Sequence, residues 1–289
     1  MIFRAIYLLI LALSFSFTAY ASGQQCKSIF VDHSPFTEIP ANLAQVHETE
    51  KETLSLKEIK TRNRATLKKL ENYIPSTDGV GASAVPYKQL VKIQNMLGDH
   101  PIVGKDGVEK YDDVNERGPR IGYCFGRSTF VHLVLKMMGL QNESVLKIWA
   151  VGKMTSSEGG WQFHVATVAF TSELGWMVVD NYFPQPVSLK KWSTFFAGEN
   201  HDGMMRFYIT PAEKFNLRSG AYPRVDLGLD LPACVDCYKN YFVDMLRWLR
   251  GRSVRSMGLS KLTGPSLADD TVDIPAEWGL FKKKKKIKF

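Results

Sequence analysis

The chain has 289 residues, a formal charge of +8 and four cysteines, with 45% of its residues hydrophobic, enough for a core that does not depend on disulfides. Six lysines, Lys282 to Lys286 and Lys288, fall in the last eight residues, and Arg4 lies near the start; setting these seven aside leaves the body at +1. The basic balance therefore describes the tail and not the fold, and no nucleic-acid partner is expected.

In chain order, residues 1–21 read as a secretory signal peptide. Arg4 precedes an apolar run from Ile6 to Phe17, and Ala19-Tyr20-Ala21 supplies the small-residue cleavage site. The run is interrupted by Ser14 and Ser16 and is shorter than the ~20 apolar residues that a membrane span needs. The expected location is secreted or periplasmic, where thiols tend to oxidise. If Cys124 stays free, three cysteines remain, and three pairings are open: Cys234 with Cys237, a long bridge from Cys26, or Cys26 with Cys124.

Residues 22–85 form an N-terminal helical extension and linker, a candidate pro-segment. The charged stretch from His47 to Ile74 carries apolar residues at Leu54, Leu56, Ile59, Leu67, Leu70 and Ile74, a thin stripe that suits a helix docked by one face. The segment Ser76 to Pro86, STDGVGASAVP, has the composition of a flexible linker.

The expected catalytic domain spans 86–252. A helix is predicted over PYKQLVKIQNMLGDH, stopping near Gly98, and another begins at Cys124 and stops at Gly139. Strands follow from Ser144, Trp161 and Gly175, rich in Val, Ile, Phe and Trp. Next come a short helix capped by Ser188, a strand over MMRFYIT, and an amphipathic helix over CVDCYKNYFVDMLRWLRG. Helices, then antiparallel strands, then helices indicate an α+β architecture. Residues 253–289 show no clear period and are expected to be a disordered tail. Its polylysine end, Lys282 to Lys288, offers at most weak binding to an anionic surface.

Cys124 at a helix start is the chemically informative residue. Unpaired backbone N–H groups and the helix dipole favour negative charge there, and the thiolate is the attacking species. His164 lies in the strand WQFHVATVAF, and Asp180 closes the next strand. A lone strand histidine is more often a packed residue, and a lone aspartate often caps a turn. Cys, His and Asp in this order on a helix start and two successive strands are what thiol acyl transfer requires. The candidate catalytic residues are therefore Cys124, His164 and Asp180. The backbone N–H of Cys124 is the natural first donor to an oxyanion. The Cys234-Val235-Asp236-Cys237 run lacks a thioredoxin-like context and reads as a structural disulfide. No histidines follow it at zinc spacing, so neither metal nor cofactor is expected. His132 receives no role.

The runs YCFGRSTFVHLVLKMMG, KIWAVGKM, WQFHVATVAF and GWMVVDNYFPQPVSLKKW together resemble the secreted protein glutaminases, a transglutaminase-like group with a Cys-His-Asp triad. The likeness covers about Gly122 to Phe196. It implies a transglutaminase-like or papain-like core, an antiparallel sheet packed against the helix that carries the nucleophile. It also implies a triad at Cys124, His164 and Asp180 and deamidation of glutamine side chains in protein or peptide substrates. The same family carries a pro-segment over its active-site cleft. Two departures adjoin the site: Thr167 stands where the family has proline, and Asp180-Asn181-Tyr182 where it has D-P-S. A peptidase or an amine-accepting transglutaminase would use the same triad, and a non-catalytic binding module could keep the scaffold.

Exported protein should begin at or near Ser22, as read by N-terminal sequencing; retention of Met1 on exported material would remove the compartment assignment.

Overall fold

A computed structural model describes residues 35–36, 42–79, 81–104, 123–156, 159–214, 217 and 235–263, with backbone alone for 156–161 and 235–240. All of these belong to one unit that starts at Asp32. The expected signal peptide, Cys26, Cys234, the Cys237 side chain and the polylysine tail lie outside the described residues.

The stretch from His47 to Ile74 is two helices and not one. In α1 (Leu43–Thr53) the Asn42 side chain accepts the Gln45 N–H at 3.1 Å. Leu54 is extended, and α2 (Leu56–Glu71) starts afresh because Ser55 and Glu58 form a capping box. The Ser55 N–H donates to Glu58 Oε2 at 2.8 Å and the Glu58 N–H to Ser55 Oγ at 3.4 Å. Two orphan donors are satisfied, so a new helix begins where the hydrophobic stripe alone suggested continuity.

The next helices match expectation: α3 is Tyr87–Gly98, and α4 is Cys124–Met138. Gly139 closes α4 at φ 98°, where its N–H reaches the Leu135 and Lys136 carbonyls. That left-handed cap favours glycine. Strands β1 (Val145–Ser156), β2 (Gly159–Thr171) and β3 (Gly175–Val179) follow, then β4 (Val187–Ser188), α5 (Leu189–Gly198), β5 (Arg206–Pro211) and α6 (Val235–Arg250). The strands form one antiparallel sheet in the order β4-β3-β2-β1-β5. The architecture among the described residues is α+β, six helices and a five-stranded sheet.

Alternation along the strands produces two cores. Val145, Trp149, Val151, Val165, Ala169 and Val179 pack with α3, α4 and α6. Leu146, Ile148, Ala150, Ala166, Val168 and Val178 pack with Trp192 and Phe196 of α5 and Leu70 of α2. Both sheet faces are covered, and α4, packed among α3, α6 and the sheet, is buried almost all round.

Two expectations need correction. The segment Ser76 to Pro86 is tethered and not a free linker, since the Ala82 N–H bonds Gly139 O at 2.9 Å, Gln141 N–H bonds Ala82 O at 3.0 Å, and Val85 N–H bonds Phe170 O at 2.9 Å. Small residues there permit close backbone approach, a role that composition cannot distinguish from flexibility. Nor is the chain past residue 252 structureless up to Thr263. Val254, Leu259 and Leu262 are buried, the Leu262 N–H caps α4 at Met138 O (2.7 Å), and Lys92 of α3 holds Gly258 O at 2.9 Å. Three apolar side chains suffice to dock this strap, too few to register as a period. Among the described residues, no helix is long and apolar enough to cross a membrane.

The extension expected as a candidate pro-segment is joined to β5 through Glu50. Arg206 Nε donates to Glu50 Oε2 at 2.7 Å, Tyr208 Oη donates to the same oxygen at 2.7 Å, and Arg62 reaches Oε1 at 2.9 Å. Burial works against the Glu50 charge, but these donors hold its carboxyl below the usual range. The resulting stability is present above the unfolded carboxylate value of 4.5 and is lost as pH falls through the lower folded one. Glu50→Ala, which strands the buried Arg206 charge, should cost on the order of 3 kcal/mol in urea unfolding followed by circular dichroism. Glu50→Gln combined with Arg206→Met should recover most of the loss. An unchanged midpoint in Glu50→Ala would mean that the pair holds nothing together.

Candidate active site

Cys124 is the first residue of α4, a free thiol only 7% exposed. The helix start is fixed from the side by α6. A Cβ at Gly126 would lie 2.3 Å from the Tyr241 ring, so only glycine lets that ring close on the first turn. Tyr241 also packs against Tyr123 at 4.7 Å, and Phe242 against Phe125 at 5.9 Å.

His164 and Asp180 meet on one sheet face. Thr167 pairs with Val179, so one step further along the register sets Asp180 beside Ala166, on the face that His164 shares at two residues' distance. His164 Nε2 donates to Asp180 Oδ2 at 2.7 Å, and Cys124 hydrogen-bonds the same imidazole. With Nε2 turned to the carboxylate, Nδ1 is the nitrogen left for the sulfur. The structure thus brings all three sequence-predicted residues into one hydrogen-bonded series.

The electrostatics follow from this enclosure. Burial alone would drive the proton off His164, yet the Asp180 charge and hydrogen bond, with Cys124 adding to them, raise its pKa to about 9. Burial likewise opposes the Asp180 charge, and His164, the Trp192 N–H and the Tyr182 N–H outweigh it, holding the carboxyl below its usual value. The stability contributed by His164 is complete below its unfolded value of 6.5 and disappears as pH rises through about 9. That contributed by Asp180 is present above 3.8 and is lost as pH falls through the lowered value.

Several residues that sequence reasoning passed over complete the site. Trp192 Nε1 donates to Asp180 Oδ2 at 2.7 Å. Phe196 lies flat on the imidazole, with centroids 4.5 Å apart and planes at 17°, and Tyr182 meets it edge-on at 5.0 Å. A ring face beside an imidazolium adds about 0.5–2 kcal/mol of attraction. Trp192 had a signal, its place in the P-V-S-L-x-x-W run, but nothing local said where its N–H points. Gln94, on α3, bonds the Asp180 backbone from 86 residues away in sequence and has no local signature.

The two departures from the family pattern also acquire positions. Thr167 is fully buried and its hydroxyl donates to Ser128 O of α4 at 2.7 Å, tying the His164 strand to the Cys124 helix. Proline in this central strand would supply neither that bond nor a ladder N–H. Tyr182 donates its backbone N–H to Asp180 Oδ1 at 3.2 Å and leaves its ring partly exposed at the rim. His132, given no role, is buried in α4, and burial holds its imidazole well below the usual value, with Lys147 and Lys136 adding to the effect. Lys147 is enclosed beneath the same helix, where its ammonium donates to Lys214 O at 2.6 Å. Neither a family model, nor a characterised protein, nor a solved structure matches the chain.

An imidazolium beside Cys124 should draw anionic iodoacetate to its sulfur in preference to neutral iodoacetamide. The ratio of the two alkylation rates should stay high at neutral pH and collapse as pH rises through about 9, where His164 loses its proton. In Asp180→Asn the collapse should come at lower pH. A ratio that is flat across this range would show that the imidazole carries no charge next to the sulfur.

Proposed function

We propose that this chain is an exported cysteine hydrolase that deamidates glutamine side chains of proteins to glutamate and ammonia. The observation that carries the reading is the buried hydrogen-bonded series Cys124, His164, Asp180 at a helix N-terminus. The nucleophile's helix lies against an antiparallel sheet, with the base on β2 and the orienting acid just after β3, which supports the reading of a transglutaminase-like or papain-like core. The motif resemblance over Gly122 to Phe196 supports glutamine as the substrate group.

In this mechanism the Cys124 thiolate attacks the side-chain amide carbon, and the oxyanion that forms accepts the Cys124 backbone N–H, one of the unpaired donors of the helix start. His164 passes its Nδ1 proton to the departing nitrogen, so ammonia leaves and a thioester remains. Neutral His164 then takes a proton from water, the hydroxide adds to the thioester, and glutamate departs as the thiolate re-forms. Asp180 keeps Nε2–H as the donor to itself and stabilises each imidazolium. Trp192, by donating to the same carboxylate oxygen, contributes about 1.5–3 kcal/mol as a hydrogen bond to a charged group.

Casein or a glutamine-containing peptide incubated with the purified protein should release ammonia and gain about 1 Da per glutamine, without backbone cleavage or cross-links. Cleavage would select the peptidase reading, cross-linking the transglutaminase reading, and no reaction a binding module. Cys124→Ala should abolish the thioester outright, whereas Asp180→Asn should keep a residual rate on the order of 10⁴-fold lower in kcat. A folded Cys124→Ala protein with wild-type turnover would end the triad assignment.

A further inference from the structure

Asp180 lies one residue beyond β3, past the last paired position of the ladder at Val179. Its carboxylate has to be aimed by something other than sheet pairing. The turn that follows closes on itself: the Phe183 N–H returns to Asp180 O at 3.1 Å, and the Tyr182 N–H donates to Asp180 Oδ1. A turn held only by its own bonds can still rock as a unit about the end of the strand.

The side chain of Gln94 reaches this turn from α3. Its Oε1 accepts the Asp180 N–H at 2.9 Å, and its Nε2 donates to Asp180 O at 2.5 Å and Phe183 O at 2.9 Å. Gln94 is buried, and each of its polar atoms bonds the turn. The amide thus presents one acceptor and one donor to the same residue, as a neighbouring strand would, and spans both ends of the turn at once. The helix behind it is anchored by buried Leu90, Ile93 and Leu97 and by the bond from Gln89 Nε2 to Ser260 Oγ at 3.1 Å.

We propose that Gln94 is the positioning residue of this site: it acts through Asp180, holding the aspartate backbone so that the carboxylate stays aimed at His164. The inference rests on the reading of Cys124, His164 and Asp180 as a thiol acyl-transfer triad. Gln94 touches neither sulfur nor imidazole. Its loss would let the carboxylate drift from Nε2 and so weaken the charge on the imidazole. The ionisable groups that face His164 among the described residues are Asp180 after β3, Cys124 on α4 and the phenol of Tyr182; Trp192 and Phe196 from α5 add no charge. Asp180 therefore governs the imidazolium, and Gln94 holds the Asp180 backbone while the Trp192 and Tyr182 N–H groups hold its carboxylate.

The experiment uses the full mature chain and the two alkylating probes, iodoacetate and iodoacetamide, which require no knowledge of the substrate. Gln94→Leu, which keeps the volume, and Gln94→Ala, which leaves room for water, are compared with wild type and with Gln89→Leu. Gln89 is equally buried on the same helix but contacts Ser260 and not the aspartate. In both Gln94 variants the pH at which the iodoacetate preference is lost should drop by about one unit or more from about 9, so that near pH 8 roughly half of the imidazole stays charged where wild type keeps roughly nine-tenths. Gln89→Leu should lower thermal stability and leave the pH profile in place. Wild-type Cys124 with no iodoacetate preference at neutral pH would defeat the triad reading, and the role of Gln94 with it. A wild-type preference that persists unshifted in folded Gln94 variants would overturn the role of Gln94 alone. Failure of both variants to fold would assign the residue to stability and equally overturn the proposal.

Discussion

The His164–Asp180 pair carries charge where almost no water reaches it, with side chains 2% exposed on each partner. Ionised groups in such a place are costly unless every remaining lone pair and proton is engaged. That requirement accounts for much of what surrounds the pair. Trp192 brings its indole N–H to the oxygen that His164 already uses, the Tyr182 N–H takes the other oxygen, and Phe196 lies against the imidazole face. α5 is placed so that two of its side chains serve this purpose at once, and the sheet face beneath it supplies their packing. Without these neighbours the pair would lower its cost by passing the proton from the imidazolium to the carboxylate, and the thiol would lose its charged partner.

The nucleophile is positioned by a separate set of contacts on the opposite core. α4 is enclosed by α3, α6 and the sheet, with Tyr241 seated against its first turn and the strap at Leu262 capping its last. Thr167 crosses between the two sets, since its hydroxyl bonds α4 from the strand that carries His164. The spacing of sulfur and imidazole is therefore set by a helix clamped at both ends and a strand bonded to it.

The parts of this arrangement that could be read from the sequence are those with a local period or a local cap. Gly98 and Gly139 marked helix ends, Val and aromatic runs marked β1 to β3, and Ser188 marked the start of α5. The order Cys124, His164, Asp180 was legible because Cys124 opens a helix and Asp180 follows a strand end that their neighbours define, while His164 is a polar residue inside an otherwise apolar strand. The Ser55-x-x-Glu58 box was equally local and was passed over because a charged helical stretch ran through it. Gln94, Gly126 with Tyr241, and Arg206 with Glu50 were not legible at all. Each depends on partners 86 to 156 residues apart, and only the packed chain brings them together. The strap from Val254 to Leu262 was missed for a related reason, as its three buried residues have meaning only against the surfaces they cover.

Asn63 of α2 offers its side-chain amide to β5 much as Gln94 does to Asp180: Oδ1 accepts the Phe207 N–H at 2.9 Å, and Nδ2 donates to Met205 O at 2.8 Å. Among the described residues β5 is the outermost strand on that side of the sheet, so these are backbone groups that a further strand would otherwise seek. The helical extension thus works as a cover for an adhesive edge, whatever else it does. Any event that detached it would leave a sheet margin able to recruit another polypeptide in extended form.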